Sequence, residues 1–196
     1  QEVFEECVLD IDAGITFLMD QGYKNVVLMG RSTGANKACF YAGTVDDPRV
    51  VGVILNSAIS DRLEKTPEEI AATIPVMKKK IEEGKADELL VGYSFFPMTP
   101  NRYLSLYEKG SKEDVFDYGD ENPQMKIYSQ IKKPLLVVLG EKDEHADRPV
   151  ADIVKVFDAK TTSEKYKSVI VPGALHGFEK QEGELAELVC GWIKTI

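Results

Sequence analysis

Gly30-Arg31-Ser32-Thr33-Gly34 follows directly on the apolar run Val26-Val27-Leu28-Met29 and precedes a helical pattern through about Ala42. A G-x-S-x-G sequence between a strand and a helix is the context of a nucleophile elbow. The glycines let the chain turn sharply and let strand and helix approach closely. The serine hydroxyl is left above the sheet, with the following amides aimed at the same point. The plainer alternative is a glycine-rich turn in which Ser32 only caps the helix.

A serine hydroxyl is a poor nucleophile until a base takes its proton. The chain has 2 histidines, His145 and His176. His176 lies in the apolar, glycine-rich loop Pro172-Gly173-Ala174-Leu175-His176-Gly177-Phe178, directly after a strand pattern. His145 lies among charged neighbours in Gly140-Glu141-Lys142-Asp143-Glu144-His145, a setting that reads as exposed surface. His176 is therefore the expected base. Such a base needs a carboxylate that holds its tautomer and stabilises the imidazolium. Asp143, three residues past Gly140, leads; Glu141, Glu144 and Asp147 compete nearby, and Asp61 competes from the end of another strand.

The elements that must position these residues can be read from periodicity. Val3, Cys7, Ile11, Ile15 and Leu18 recur at helical spacing over residues 2–20, and Gln21-Gly22 closes that helix. Val26–Met29 is a short continuous apolar run of the kind buried on both faces of a parallel sheet. Val50–Leu55, Leu135–Leu139 and Ser168–Val171 are three further strands, with helices at 149–158 and 181–195. Strands alternating with helices make an α/β domain with a parallel sheet. The stretch from Leu63 to Tyr128 breaks the rhythm: a charged helical segment, Pro67 to Lys85, leads into an aromatic-rich piece, Tyr93 to Tyr107. Val115 to Asp120 then reads as loop. The connection is far longer than a crossover needs, and is taken as an inserted cap over 63–128, with a core of 1–62 and 129–196. The cap aromatics Tyr93, Phe95, Phe96, Tyr103 and Tyr107 either line a pocket or simply pack the cap.

Composition removes several classes. The 196 residues carry 24 basic against 33 acidic side chains, a net charge of -9, so no basic face for nucleic acid is expected. A mean hydropathy of -0.21, and no apolar run near the ~20 residues that span a bilayer, argue against a membrane protein. Cys7, Cys39 and Cys190 show no pairing or metal-binding spacing, and each falls in an expected helix as a small buried hydrophobe. That usage points to a reducing, cytoplasmic setting.

The separated motifs together resemble the α/β-hydrolases. The order Ser32, Asp143, His176 is theirs, and the segments VVLMGRSTG, VVGVILNSAISDR, PMTPNRYLSLYEKGSKEDVFDYG, LLVVLGEKDEHAD and PGALHGF carry the likeness across residues 24–178. More narrowly, they resemble a group that includes fungal siderophore ester hydrolases and their plant and microbial relatives. Arg31 departs from the pattern, since relatives usually carry His there, and that cation is expected to pair with an acid or alter the local field. The resemblance implies a serine hydrolase acting on a small-molecule ester through an acyl-enzyme, with the N–H of Thr33 holding the oxyanion. Neither metal nor organic cofactor is required.

It also implies missing parts. Four parallel strands correspond to the last four of the family's eight, so the chain looks like the C-terminal part of the fold. The first strand would be an open edge, pointing to a homodimer or a missing N-terminal segment. A second oxyanion donor has no candidate in the sequence, and one lost donor costs ~10²–10³ in rate. A non-catalytic ligand-binding protein and an acyltransferase using the same three residues remain alternative readings.

Overall fold

The computed structural model describes residues 2–94 and 96–196. Its centre is a parallel sheet of four strands in the order β1 (Val26–Arg31), β2 (Val50–Asn56), β3 (Leu135–Gly140) and β4 (Tyr166–Val171). Around it lie α1 (Cys7–Asp20), α2 (Thr33–Thr44), α3 (Pro67–Glu82), α4 (Pro100–Tyr107), α5 (Val150–Lys160) and α6 (Glu182–Ile193). Arg31 pairs with Asn56, Asn56 with Val138, and Gly140 with Val171. The strands thus end close to one line, and the loops that leave them share one edge of the sheet.

Side chains alternate across the sheet with the period of two that a pleated strand imposes. Val53, Leu55, Leu135, Val137 and Leu139 enter a core with Ala38 and Cys39 of α2 and Ile153 and Phe157 of α5. Ile54, Leu136 and Val138 enter a second core with Val171, Phe178 and Trp192 of α6. β3 is buried at every position. β1 departs from the expectation of burial on both faces: Val26, Val27 and Leu28 are half-buried and Met29 is exposed. The cause is position, since among the described residues β1 pairs only with β2, and Val27 reaches just the margin of the α6 core. Cys190 also corrects the sequence reading: it is exposed on α6, whereas Cys7 and Cys39 are buried.

Between β2 and β3 the chain forms a short 3₁₀ turn (Asp61–Glu64), α3, α4 and a long irregular stretch. Thr66 and Glu69 make a reciprocal capping box at the start of α3, with Pro67 at the first helical position, where its missing N–H costs nothing. Met77, Leu90, Met98, Tyr103, Leu106 and Tyr107 form a separate apolar cluster. The irregular stretch is tied to the sheet by Arg62. Its Nε donates to Asp114 at 3.1 Å and its Nη2 to Asp120 at 2.9 Å. Tyr118 completes the anchor, its hydroxyl accepting the Ser60 N–H at 3.0 Å while its ring lies against Phe157. Among the described residues no helix is long and apolar enough to cross a membrane.

Arg62 is 9% exposed and the Asp114 side chain 2%, so removing the cation strands a buried carboxylate. Arg62→Ala is expected to lower unfolding free energy by about 3–5 kcal/mol in urea denaturation. An effect under 1 kcal/mol would assign the anchor to apolar packing alone.

Candidate active site

β1 passes into α2 through one residue, Ser32, whose backbone sits at φ 54° and ψ -130°. For a non-glycine residue this conformation costs of order 1–3 kcal/mol and needs support from its surroundings. The Ser32 N–H donates to the Asn56 carbonyl at 3.0 Å, and its own carbonyl accepts the Ala35 N–H at 2.7 Å. The two flanking glycines have different tasks. A Cβ on Gly30 would lie 2.0 Å from the Gly34 carbonyl oxygen, whereas one on Gly34 would meet nothing within 4 Å. Gly30 therefore permits the close approach; the contribution of Gly34 is the backbone that fills the space.

The structure brings Ser32, His176 and Asp143 together from three strand ends. Ser32 Oγ lies 2.9 Å from His176 Nε2, and His176 Nδ1 lies 2.9 Å from both carboxylate oxygens of Asp143. Asp143 is 6% exposed. Gly140 makes this approach possible, because a Cβ there would lie 2.4 Å from the Ala174 carbonyl oxygen. The loop carrying His176 can therefore descend onto the end of β3.

The rival acids are occupied elsewhere. Glu141 accepts the Gly173 N–H at 2.8 Å, Glu144 accepts the His176 N–H at 2.9 Å, and Asp147 pairs with Arg148. The backbone N–H groups of His176 and of Glu144 itself hold the Glu144 carboxyl below the usual range. Asp61 is hydrogen-bonded to Asn36 rather than to His176. Arg31 is exposed and forms no ion pair among the described residues, which leaves the expected pairing with an acid unrealised.

Two residues at the site were given no role by the sequence reading. Ser57, at φ 51°, donates its hydroxyl to the His176 carbonyl at 2.8 Å and so fixes the backbone of His176. His145 is exposed, as expected, yet it is not remote from the site: its ring meets His176 edge-on, centroids 4.5 Å apart, and its Nδ1 lies 3.1 Å from Glu64 Oε1. Asp143 also accepts the His145 N–H at 3.0 Å, so one carboxylate orders both histidines. A serine at a strand end was the available signal for Ser57; nothing local distinguished His145.

Above Ser32 opens a cavity of about 280 Å³. Ser32, Thr33, His145 and His176 form its floor, and Phe96, Leu106 and Tyr107 contribute apolar walls. Of the aromatics singled out in the sequence, Phe96 and Tyr107 reach the cavity, while Tyr93 and Tyr103 pack together in the α3–α4 cluster. Phe95 lies outside the described residues. Thr33 is the first residue of α2, where backbone N–H groups have no partner within the helix and the helix dipole favours negative charge. Among the described residues no three His, Cys, Asp or Glu side chains are grouped to hold a metal ion.

This sheet, its order and its flanking helices define the α/β-hydrolase fold. It is shared with a thermostable carboxyl esterase from Bacillus coagulans (TM-score 0.65, 16% identity, 100% of this chain and 73% of that one). It is also shared with a monoacylglycerol lipase from Paleococcus ferrophilus (TM-score 0.56, 19% identity, 96% and 76%). A third is an α/β hydrolase from the sediment metagenome of the Mar Chica lagoon, Morocco (TM-score 0.52, 14% identity, 96% and 68%). By sequence, residues 5–195 match the family described as protein of unknown function (DUF1749), and the chain belongs to that family. No curated protein matches it.

Burial, with Glu113 and Glu64 close by, pushes the Asp61 carboxyl up to about 7. Between that value and the ordinary carboxylate range the folded chain holds a proton that the unfolded chain has released. Stability contributed by Asp61 is therefore present at low pH and lost as pH rises through about 7. Asp61→Asn removes this slope. Relative to wild type, the variant should gain on the order of 2 kcal/mol between acidic and mildly alkaline buffer, read by urea unfolding. A constant difference across that range would contradict the assignment.

Proposed function

We propose that the protein is a serine hydrolase that cleaves a carboxylic ester of a small molecule. The observation that carries this reading is the unbroken relay from Ser32 Oγ through His176 to the buried Asp143, built on a strained turn at the floor of a cavity. The esterase and lipase descriptions of the structural neighbours support it, as does the resemblance to siderophore ester hydrolases, which makes such esters one class to assay.

In the first half-reaction Ser32 Oγ attacks the acyl carbonyl carbon while His176 Nε2 takes the hydroxyl proton. Asp143 holds Nδ1 protonated and stabilises the imidazolium. Negative charge gathers on the former carbonyl oxygen, and in this reading the Thr33 N–H at the start of α2 donates to it. Collapse breaks the ester C–O bond, and the leaving alcohol receives the proton from His176. Water then adds to the acyl-enzyme by the same route, releasing the acid and restoring Ser32. In this reading residues 63–128 act as a cap, and the walls contributed by Phe96, Leu106 and Tyr107 hold the substrate's apolar part.

A fluorophosphonate should form one covalent adduct, Ser32 Oγ displacing fluoride from phosphorus, and intact mass should show none on Ser32→Ala. Failure of the wild-type chain to label would overturn the reading. Asp143→Asn should lower turnover of a p-nitrophenyl ester by about 10⁴, because the wrong tautomer of His176 is then stabilised. Loss of less than ten-fold would remove Asp143 from the mechanism.

A further inference from the structure

Asp61 lies in the wall of the cavity above Ser32 and has no part in the relay. Its setting is built rather than incidental. Asn36 of α2 is 2% exposed and gives its Nδ2 to Asp61 Oδ2 at 3.1 Å and to the Glu113 carbonyl at 3.3 Å. Asn36 Oδ1 is buried without a hydrogen-bond partner among the described residues, so the orientation that serves Asp61 leaves one polar atom unsatisfied. Asp61 Oδ1, by contrast, has no hydrogen-bond partner among the described residues, although the residue borders the cavity.

Charge around the cavity is unbalanced. Glu64 is a second carboxylate in the wall, and Glu113 stands behind Asp61. Among the described residues Arg102 of α4 is the one arginine or lysine that lines the cavity. Its guanidinium is committed to both oxygens of Glu113 and to Glu2, and Ser105 adds a 2.7 Å hydrogen bond to the same Glu113. His145 is turned to Glu64 and His176 to Asp143. The cavity therefore presents one oriented, unneutralised carboxyl to whatever enters it, beside apolar walls.

Resting on the hydrolase reading of this site, we infer that Asp61 is its specificity-determining residue and selects esters that carry a primary or secondary ammonium group. The ammonium would donate to the open Oδ1 and supply the positive charge that Arg102, committed to Glu113 and Glu2, does not deliver there, while the intervening methylenes lie against Phe96, Leu106 and Tyr107. The raised proton affinity of Asp61 in the empty site is the cost of burying this charge beside Glu113 and Glu64, and a bound cation removes it. Arg102 opposes those acids without cancelling them. Preference for the cation should accordingly strengthen from mildly acidic to mildly alkaline pH, as Asp61 loses its proton.

The test compares the p-nitrophenyl esters of ε-aminohexanoate and heptanoate, which match in length and differ in the terminal ammonium. At mildly alkaline pH, wild type should favour the ammonium ester in kcat/KM, and Asp61→Asn should reduce the ratio of the two at least about ten-fold. The isosteric amide keeps an oxygen for Asn36, so the local fold is preserved. General attraction of cations to a chain of net charge -9 would survive the loss of one charge and leave the ratio nearly unchanged. An unchanged ratio overturns the inference.

If neither ester turns over and the fluorophosphonate fails to label Ser32, the hydrolase reading falls separately. Direct binding then decides on Asp61, with hexylammonium compared against hexanol by NMR titration on wild type and Asp61→Asn. Tighter binding of the cation that is lost in the variant sustains the subsite. Equal binding, or none, removes it.

Discussion

Ser32 is held at φ 54° and ψ -130°, and three contacts close around that strained backbone. Gly30 lies against the Gly34 carbonyl, the Ser32 N–H is tied to Asn56 of the neighbouring strand, and the Ser32 carbonyl begins α2. The parallel pairing of β1 with β2 supplies the second contact, and the packing of α2 on the sheet supplies the first. Strain at the turn is thus stored against the whole β1–α2–β2 unit rather than absorbed by a flexible loop. What it secures is direction: the hydroxyl meets His176 at 2.9 Å, and the N-terminus of α2 opens on the same cavity.

The histidine side of the site is fixed by a similar economy of contacts. Asp143 takes the His176 ring nitrogen on both oxygens and the His145 backbone on one. Ser57 and Glu144 hold the carbonyl and N–H of His176 itself. With main chain and Nδ1 both restrained, the imidazole has little freedom except at the face it turns to Ser32. Preorganisation of this sort removes the reorganisation that a base would otherwise undergo in each turnover.

Much of this was legible in the residues alone, for identifiable reasons. A glycine-flanked serine between an apolar run and a helical pattern is local information, and so is a histidine in a loop that ends a strand. Because parallel strands deliver their carboxyl ends to one edge, Ser32, Asp143 and His176 could be brought together without knowing the strand order. The less legible features depend on what packs against what. Val26–Met29 is as apolar as β3, yet the run lies at an edge and is only partly covered. His145 sits among charges in sequence, and only the arrival of Glu64 from the β2 loop and of His176 from the β4 loop draws it into the cavity. Likewise, spacing could not say that Tyr103 would turn inward to the α3–α4 cluster while Tyr107 reached the cavity wall as well.

Ser32 and His176 are 144 residues apart in the chain, and Asp143 comes from the loop after β3, between them. Closing a loop of that span carries an entropic penalty that only later contacts offset. β1, α2 and β2 can associate through nearer neighbours, but the Ser32–His176 contact requires β3 and β4 to be in register as well. The hydrogen bond between them therefore depends on all four strands at once. Displacing any one of them breaks the contact, which makes the state of that pair a sensitive gauge of whether the whole sheet is intact.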